Sequence, residues 1–421
     1  MSDILDELRW RGLVAQTTDE AALREALADG PITFYCGFDP TAPSLHMGNL
    51  VQLITMRHLQ RAGHRALCLV GGSTGLIGDP KATAERQLND PSLVADWVAR
   101  IQAQVRPFLD FEGDNPAVMV NNLDWTAPIS ALEFLRDIGK HFRVNTMIRK
   151  DAVAARLASD DGISYTEFSY QILQGLDYLQ LFRQYGCTLQ TGGTDQWGNL
   201  TAGVDLIHRA EHASVHLLTT PLVTKADGTK FGKTESGTVW LDASMMSPYA
   251  FYQFWLNADD ASVLAYIKIF TDRSREEVAA LEVEVAERPF ARQAQRTLAT
   301  DVTTLVHGAS AAAAVEAASQ ALFGRGSLDD LDPGTLADAT AELDRAAVVL
   351  GGSVVDAFVD AGLAPSRSGA RRTIDEGGAY VNNVKVTDPE AVFTTDQLLH
   401  GRFAVLRRGK KSLAAAVAEG A

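Results

Sequence analysis

Cysteine is scarce in this chain of 421 residues: Cys36, Cys68 and Cys187 stand far apart, with no CxxC pair. That spacing argues against a disulfide framework or a zinc site and suits a reducing cytosol. Long apolar runs are also missing, none approaching the ~18 residues a membrane-spanning helix needs. The opening Met1-Ser2-Asp3-Ile4-Leu5-Asp6-Glu7 carries acids where a signal peptide would be apolar. A soluble, cytoplasmic protein with no membrane partner is expected. Positive charge is in deficit, since 38 Lys and Arg face 53 Asp and Glu for a net charge of −15. A general nucleic-acid coat is therefore disfavoured, and any RNA contact must come from local basic patches.

What is present begins with length: 421 residues are too many for one compact core, so several domains are expected. Ile32 to Phe38 reads as a short buried strand, followed by a proline-punctuated turn and a helix opening near Gly48 and stopped by Gly63. Strand, tight turn and helix N-terminus together make an anion site, because free backbone N–H groups and the helix dipole point there. His46 and Asn49, three apart, fall on one face of the first helical turn. Taken alone, the stretch also fits a histidine that merely caps its helix.

Ala66 to Val70 is a wholly apolar strand, and Gly71-Gly72-Ser73-Thr74-Gly75-Leu76-Ile77-Gly78-Asp79 is a glycine-rich loop at its end. Further strands at Ala117–Val120 and Thr188–Gln190 alternate with helical segments. This alternation predicts a doubly wound parallel-sheet α/β domain with its ligands at the carboxyl ends of the strands. A helix around Thr166 to Tyr185 puts Tyr170, Gln174 and Asp177 on one face. The loop Thr191-Gly192-Gly193-Thr194-Asp195-Gln196-Trp197-Gly198-Asn199 again clusters glycine at a strand end, where Asp195 either holds a ribose hydroxyl or caps a helix.

A second signature runs from Lys225 to Gly237 around Lys230-Phe231-Gly232-Lys233-Thr234. A phosphate-binding P-loop is disfavoured: three residues separate Gly228 from Gly232 where that motif has four, and the sequence that follows reads as loop and strand, not helix. What remains is a glycine-bounded loop whose Lys230 and Lys233 are suited to closing over polyphosphate. From Ser247-Pro248 the composition turns helical. Residues 327–345 hold six acidic side chains and one basic, around Pro333-Gly334, and predict a flexible linker. The tail carries two basic clusters, Arg367, Arg371 and Arg372, then Arg407, Arg408, Lys410 and Lys411, which suggest a grafted RNA-binding unit.

PTAPSLHMGN, KFGKT, TGGTDQWGN and the YCGFDPT strand together resemble the bacterial tyrosyl-tRNA synthetases, a family of class I aminoacyl-tRNA synthetases, over essentially the whole chain. Tyr35 with Asp177 points to tyrosine, and the tail resembles a small RNA-binding module shared with a ribosomal protein. The resemblance implies a Rossmann-like catalytic domain over 1–246 and an α-helical anticodon-binding domain over 247–324. An acidic linker over 325–352 and an α+β RNA-binding module over 353–421 would complete the chain. It implies L-tyrosine, ATP and tRNA(Tyr) as substrates, Mg2+ carried with ATP and no dedicated protein metal site, and a homodimer.

By the same resemblance, Thr41, His46, Asn49, Arg86, Lys230, Lys233 and Thr234 serve catalysis. Tyr35, Asp79, Tyr170, Gln174, Asp177, Gln190 and Gln196 would hold tyrosine, and Cys36, Gly37, Asp39, Gly48, Gly193 and Asp195, with Lys233, would hold ATP. Two departures stand out. Asn49 occupies a position often held by histidine, and the segment Asp79 to Arg86 is less lysine-rich than in some relatives. A small nucleotidyltransferase would need neither the helical domain nor the basic tail, and a non-catalytic RNA-binding descendant would not keep both signatures.

Overall fold

Short apolar runs bounded by glycine build the first sheet. The structure is a computed structural model that describes residues 3–80, 87–160, 162–224, 228, 231–234 and 237–418. Its first strands are β1 (Gln16–Thr17), β2 (Thr33–Phe38), β3 (Arg65–Val70), β4 (Val118–Asn121), β5 (Cys187–Gly193) and β6 (His216–Thr220). They lie in the order β1-β6-β5-β2-β3-β4, parallel except for β1, which runs antiparallel to β6. Ala66, Leu67, Cys68, Leu69 and Val70 of β3 are all buried, as a strand covered on both faces requires.

The chain leaves β2 toward β3 and β4 on one side, then returns to β5 and β6 on the other. Strand order therefore reverses between β2 and β5, and in such sheets ligands sit at the carboxyl ends beside that reversal. The helices Met47–Arg61, Tyr165–Tyr185 and Trp197–Glu211 follow β2, precede β5 and follow β5, respectively. The doubly wound sheet expected from the alternation is present. A small hairpin, β7 (Lys233–Thr234) with β8 (Gly237–Thr238), follows the sheet where a P-loop would have had a helix.

The chain divides into two compact units, residues 1–245 with 259–287, and residues 246–258 with 288–421. This boundary cuts through the helical domain expected over 247–324. Its physical reason is Arg11, which is buried and donates from Nη1 to the carbonyls of Lys268 and Thr271 and from Nη2 to that of Arg273. A guanidinium there satisfies carbonyls at the C-terminal end of the helix Val263–Phe270 and suits its dipole, tying that helix into the first unit.

In the second unit, the helices Pro248–Leu256, Gln293–His307 and Ala309–Leu322 pack together ahead of a five-stranded sheet. Its strands are β9 (Arg345–Val348), β10 (Ala379–Val381), β11 (Val384–Lys385), β12 (Phe403–Arg408) and β13 (Ser412–Ala418), in the order β11-β10-β12-β13-β9. The flexible linker expected over 325–352 is instead built structure. Asp332 accepts from Thr335 N at 2.9 Å and caps the helix Pro333–Ala341, while β9 alternates exposed and buried residues and pairs parallel to β13. Acid, proline and glycine in sequence are the composition of a linker and also the start of a helix, with the acid as cap and the proline in its first turn.

Candidate active site

The two signatures, far apart in sequence, meet at the carboxyl end of β2. Trp240 pairs with His46 in an antiparallel bridge, Leu241 N donates to Leu45 O at 2.9 Å, and Asp242 N donates to Ser44 Oγ at 3.1 Å. Gly232 of KFGKT has φ +80°, and a Cβ there would stand 2.7 Å from Met47 Cβ, beside His46. Gly232→Ala is therefore expected to lower stability by about 1–3 kcal/mol through backbone strain. Thermal melts check this. Lys230 and Arg86 lie outside the described residues, and Lys233 and Thr234 are described in backbone only.

His46 and Asn49 form a capping box. His46 Nδ1 accepts from Gly48 N at 3.1 Å and Asn49 Oδ1 accepts from His46 N at 3.0 Å. Because Nδ1 is occupied as an acceptor, the neutral imidazole carries its proton on Nε2. Thr41, His46 and Gly48 are exposed. Asn49 thus has a defined task at the helix start for which histidine is not required.

Deeper in the sheet, Tyr35 of β2 is 1% exposed, and its hydroxyl has no hydrogen-bond partner among the described residues. Gln174 Oε1 and Gln190 Oε1 are in the same state. Three orphaned polar atoms on residues expected to line one pocket mark where a polar ligand would be held. Burial pushes the Tyr35 phenol well above its usual range, and the charge of Asp177 adds to this. Asp177, 1% exposed, accepts from Trp125 Nε1 at Oδ1 and from Asn122 Nδ2 at Oδ2, both at 2.9 Å. Desolvation pushes its carboxyl up to about 7, against the pull of these two donors.

Tyr170, on the same helix as Asp177, donates its hydroxyl to Asp39 Oδ2 at 2.6 Å, while Thr74 Oγ1 donates to Asp39 Oδ1 at 2.7 Å. Asp39, expected against ATP, is thus engaged with Tyr170. Gly71 is needed here, because a Cβ would lie 2.2 Å from Asp39 Oδ1. Cys36 is buried, which pushes its thiol up to about 12 and keeps it neutral. Gly37 is exposed at the strand end beside it.

At the end of β5, Gln196 Nε2 lies 3.5 Å from both Asp79 Oδ2 and Asp195 Oδ2. Asn199 Nδ2 donates to Asp79 Oδ1 at 3.0 Å and to Gln196 Oε1 at 2.9 Å, and Lys150 Nζ donates to Asn199 Oδ1. Burial pulls the Lys150 ammonium down to about 7, with Asp79 opposing. A Cβ on Gly193 would stand 2.5 Å from Asp195 Oδ1, so the Asp195 side chain would have to turn away to admit it.

The sequence reading missed Asn122, Trp125, Thr74 and Lys150 as partners. Asn122 alone carried a signal, since Asn121-Asn122 is a polar pair at the carboxyl end of an apolar strand. Among the described residues, no group of three or more His, Cys, Asp or Glu is placed to hold a metal ion.

The basic tail is partly committed to its own fold. Arg407 stacks over Tyr380 with its guanidinium carbon 4.0 Å from the ring centre, and Arg408 donates to Leu363 O at 2.9 Å. Arg367 pairs with Asp356 at 2.8 Å and Arg371 with Glu390 at 2.7 Å. Arg372, Lys410 and Lys411 are exposed.

Residues 27–324 match the family described as tRNA synthetases class I (W and Y), and residues 340–415 match the tyrosine–tRNA ligase SYY-like C-terminal domain. The chain belongs to the class I tRNA synthetases of that family. It is 67% identical to the tyrosine–tRNA ligase of Streptomyces avermitilis, across 99% of each chain, and 66% identical to that of Streptomyces coelicolor, across 100% of each. A crystal structure of a C-terminally truncated mitochondrial tyrosyl-tRNA synthetase from Coccidioides posadasii matches with a TM-score of 0.67 at 32% identity, covering 75% of this chain and 91% of that one. Within the class, the chain stands among the tyrosine–tRNA ligases.

Proposed function

We infer that the protein activates L-tyrosine with ATP to tyrosyl-adenylate and pyrophosphate, and then transfers tyrosine to the 3′ end of tRNA(Tyr). The observation that carries this reading is the meeting of the His46 turn with the base of the KFGKT loop, at the end of the strand that buries Tyr35. The chemistry fits the residues. The substrate carboxylate is already an anion at neutral pH and pyrophosphate is a competent leaving group, so no nucleophilic side chain is needed. Catalysis then rests on alignment and on donors placed where charge develops.

Tyr35 and Asp177 grip the phenol, with Gln190 beside them; Asp79, Tyr170 and Gln174 take the α-ammonium and Gln196 the carboxylate. Asp39 orients the Tyr170 hydroxyl from behind. Cys36, Gly37, Gly48 and Gly193 border the nucleotide, and Asp195 holds its ribose. Thr41 and the Nε2–H of His46 meet the triphosphate. Arg86, Lys230, Lys233 and Thr234 offset the charge of the departing pyrophosphate, with Mg2+ arriving on ATP. His46→Ala is expected to lower kcat for adenylate formation by about 10²-fold and to leave tyrosine KM nearly unchanged, because its contact matures only in the transition state.

The experiment that tests the whole reading is exchange of labelled pyrophosphate into ATP, with each amino acid supplied in turn. Tyrosine alone should drive it; exchange driven by tryptophan, or none at all, would overturn the assignment. A homodimer in the cytoplasm, with tRNA bridging the subunits, belongs to the same proposal. Its support is a run of exposed apolar residues, Leu132, Leu135, Val144, Ile148, Leu157 and Tyr165, in one segment of the first unit. Sedimentation is expected to give two chains per particle, and Leu132→Asp with Val144→Asp to shift it toward one.

A further inference from the structure

An amide has two ends of similar shape and opposite hydrogen-bonding sense, so a site that relies on a glutamine must fix which end faces the ligand. Three residues here define such a direction. Lys150 stands immediately before the helix Asp151–Leu157, and its stem lies along Gly198, where an added Cβ would stand 3.3 Å from Lys150 Cε. Its Nζ donates to Asn199, which therefore turns Oδ1 toward it. Asn199 Nδ2 then faces the other way and donates to Gln196 Oε1 at 2.9 Å and to Asp79 Oδ1 at 3.0 Å. With Oε1 taken, Gln196 can present only its NH2 on the side of Asp79 and Asp195, each 3.5 Å away.

We propose that Lys150 and Asn199 are positioning residues for tyrosine activation, a polar relay that holds the Gln196 amide with its N–H groups toward the substrate carboxylate. Neither touches the reacting atoms. A flipped Gln196 would meet that carboxylate with its own oxygen, turning a donor contact into repulsion. The inference rests on the assignment of Gln196 to the substrate carboxylate.

The test compares L-tyrosine with L-tyrosinol, which keeps the phenol and the ammonium but lacks the carboxylate. Dissociation constants are measured for the full-length protein and for Gln196→Ala, Lys150→Met and Asn199→Ala, with circular dichroism as the check on folding. The readout is the preference for tyrosine over tyrosinol, a ratio that cancels any shared loss at Asp79. Each variant is expected to reduce that preference about tenfold, as loss of a hydrogen bond to a charged group predicts. If Gln196→Ala reduces it while Lys150→Met and Asn199→Ala leave it intact, the relay is overturned and the role of Gln196 stands. Equal weakening of both ligands in the Lys150 and Asn199 variants also overturns the relay, because it marks a merely structural contribution. An unchanged preference in Gln196→Ala overturns the carboxylate assignment, and the relay with it. Should Lys150→Met fail to fold, Asn199→Ala carries the decision.

Discussion

Asp177→Asn is expected to lower tyrosine-dependent kcat/KM for pyrophosphate exchange by about 10²–10³-fold and to remove its rise with pH near neutrality. Asp177 is enclosed, with Asn122 and Trp125 each donating to one of its oxygens at 2.9 Å. Asparagine offers only one oxygen, so its NH2 must meet one of those donors head on, leaving buried groups unpaired at about 1–3 kcal/mol each. The wild-type carboxyl is pushed up to about 7 by burial. An incoming phenol that donates to Asp177 needs the ionised form, so kcat/KM should rise as pH climbs through about 7 and then level off.

Stability moves the opposite way. The folded value lies above the ordinary 3.8, so between those limits the folded chain keeps a proton that the unfolded chain has released. The contribution of this group is full below about 4 and lost as pH rises through about 7, so the stability of wild type relative to Asp177→Asn should decline across that window. Exchange kinetics and chemical denaturation across pH check both slopes; a flat wild-type rate profile, or a variant that keeps the rise, sinks the explanation. Tyrosine–tRNA ligases are the standard case of rejecting phenylalanine by leaving such groups unpaired, and the preference should narrow in this variant.

The parts legible in the sequence were those set by local periodicity. The wholly apolar β3, the glycine loops at the ends of β3 and β5, and the shared face of Tyr170, Gln174 and Asp177 all follow from spacing within one element. Partners supplied by other elements were not legible. Nothing near Asp177 in the chain foretells that Trp125, 52 positions earlier, donates to it. Likewise, the Arg11 carbonyl clamp that ties the helix Val263–Phe270 into the first unit spans 257 positions or more. The stretch around Asp332-Pro333-Gly334 failed for another reason, since its composition serves a linker and a capped helix alike and only the alternation in Arg345–Val348 separates them.

Removing residues 343–421 is expected to leave tyrosine-dependent pyrophosphate exchange within about twofold and to cut tRNA charging by about 10²–10³-fold, because backbone electrostatics dominate RNA affinity. The cut falls before β9 because that strand pairs with β13, and dividing them would expose unpaired edges on both fragments. It also removes Asn383, whose Nδ2 donates to Ala321 O at 2.7 Å near the end of the helix Ala309–Leu322, a loss of about 1 kcal/mol. In a chain of net charge −15, attraction for RNA must be local, and Arg372, Lys410 and Lys411 are exposed on this module. Arg367, Arg371, Arg407 and Arg408 are tied to neighbours within it, so they shape the surface as well as charge it. Charging by the full chain should therefore fall steeply as salt rises, and the truncated chain should show a flatter slope at its lower activity. Loss of exchange in step with charging would mean that the module supports the catalytic unit and does not serve RNA, and equal salt slopes would move the RNA contact elsewhere.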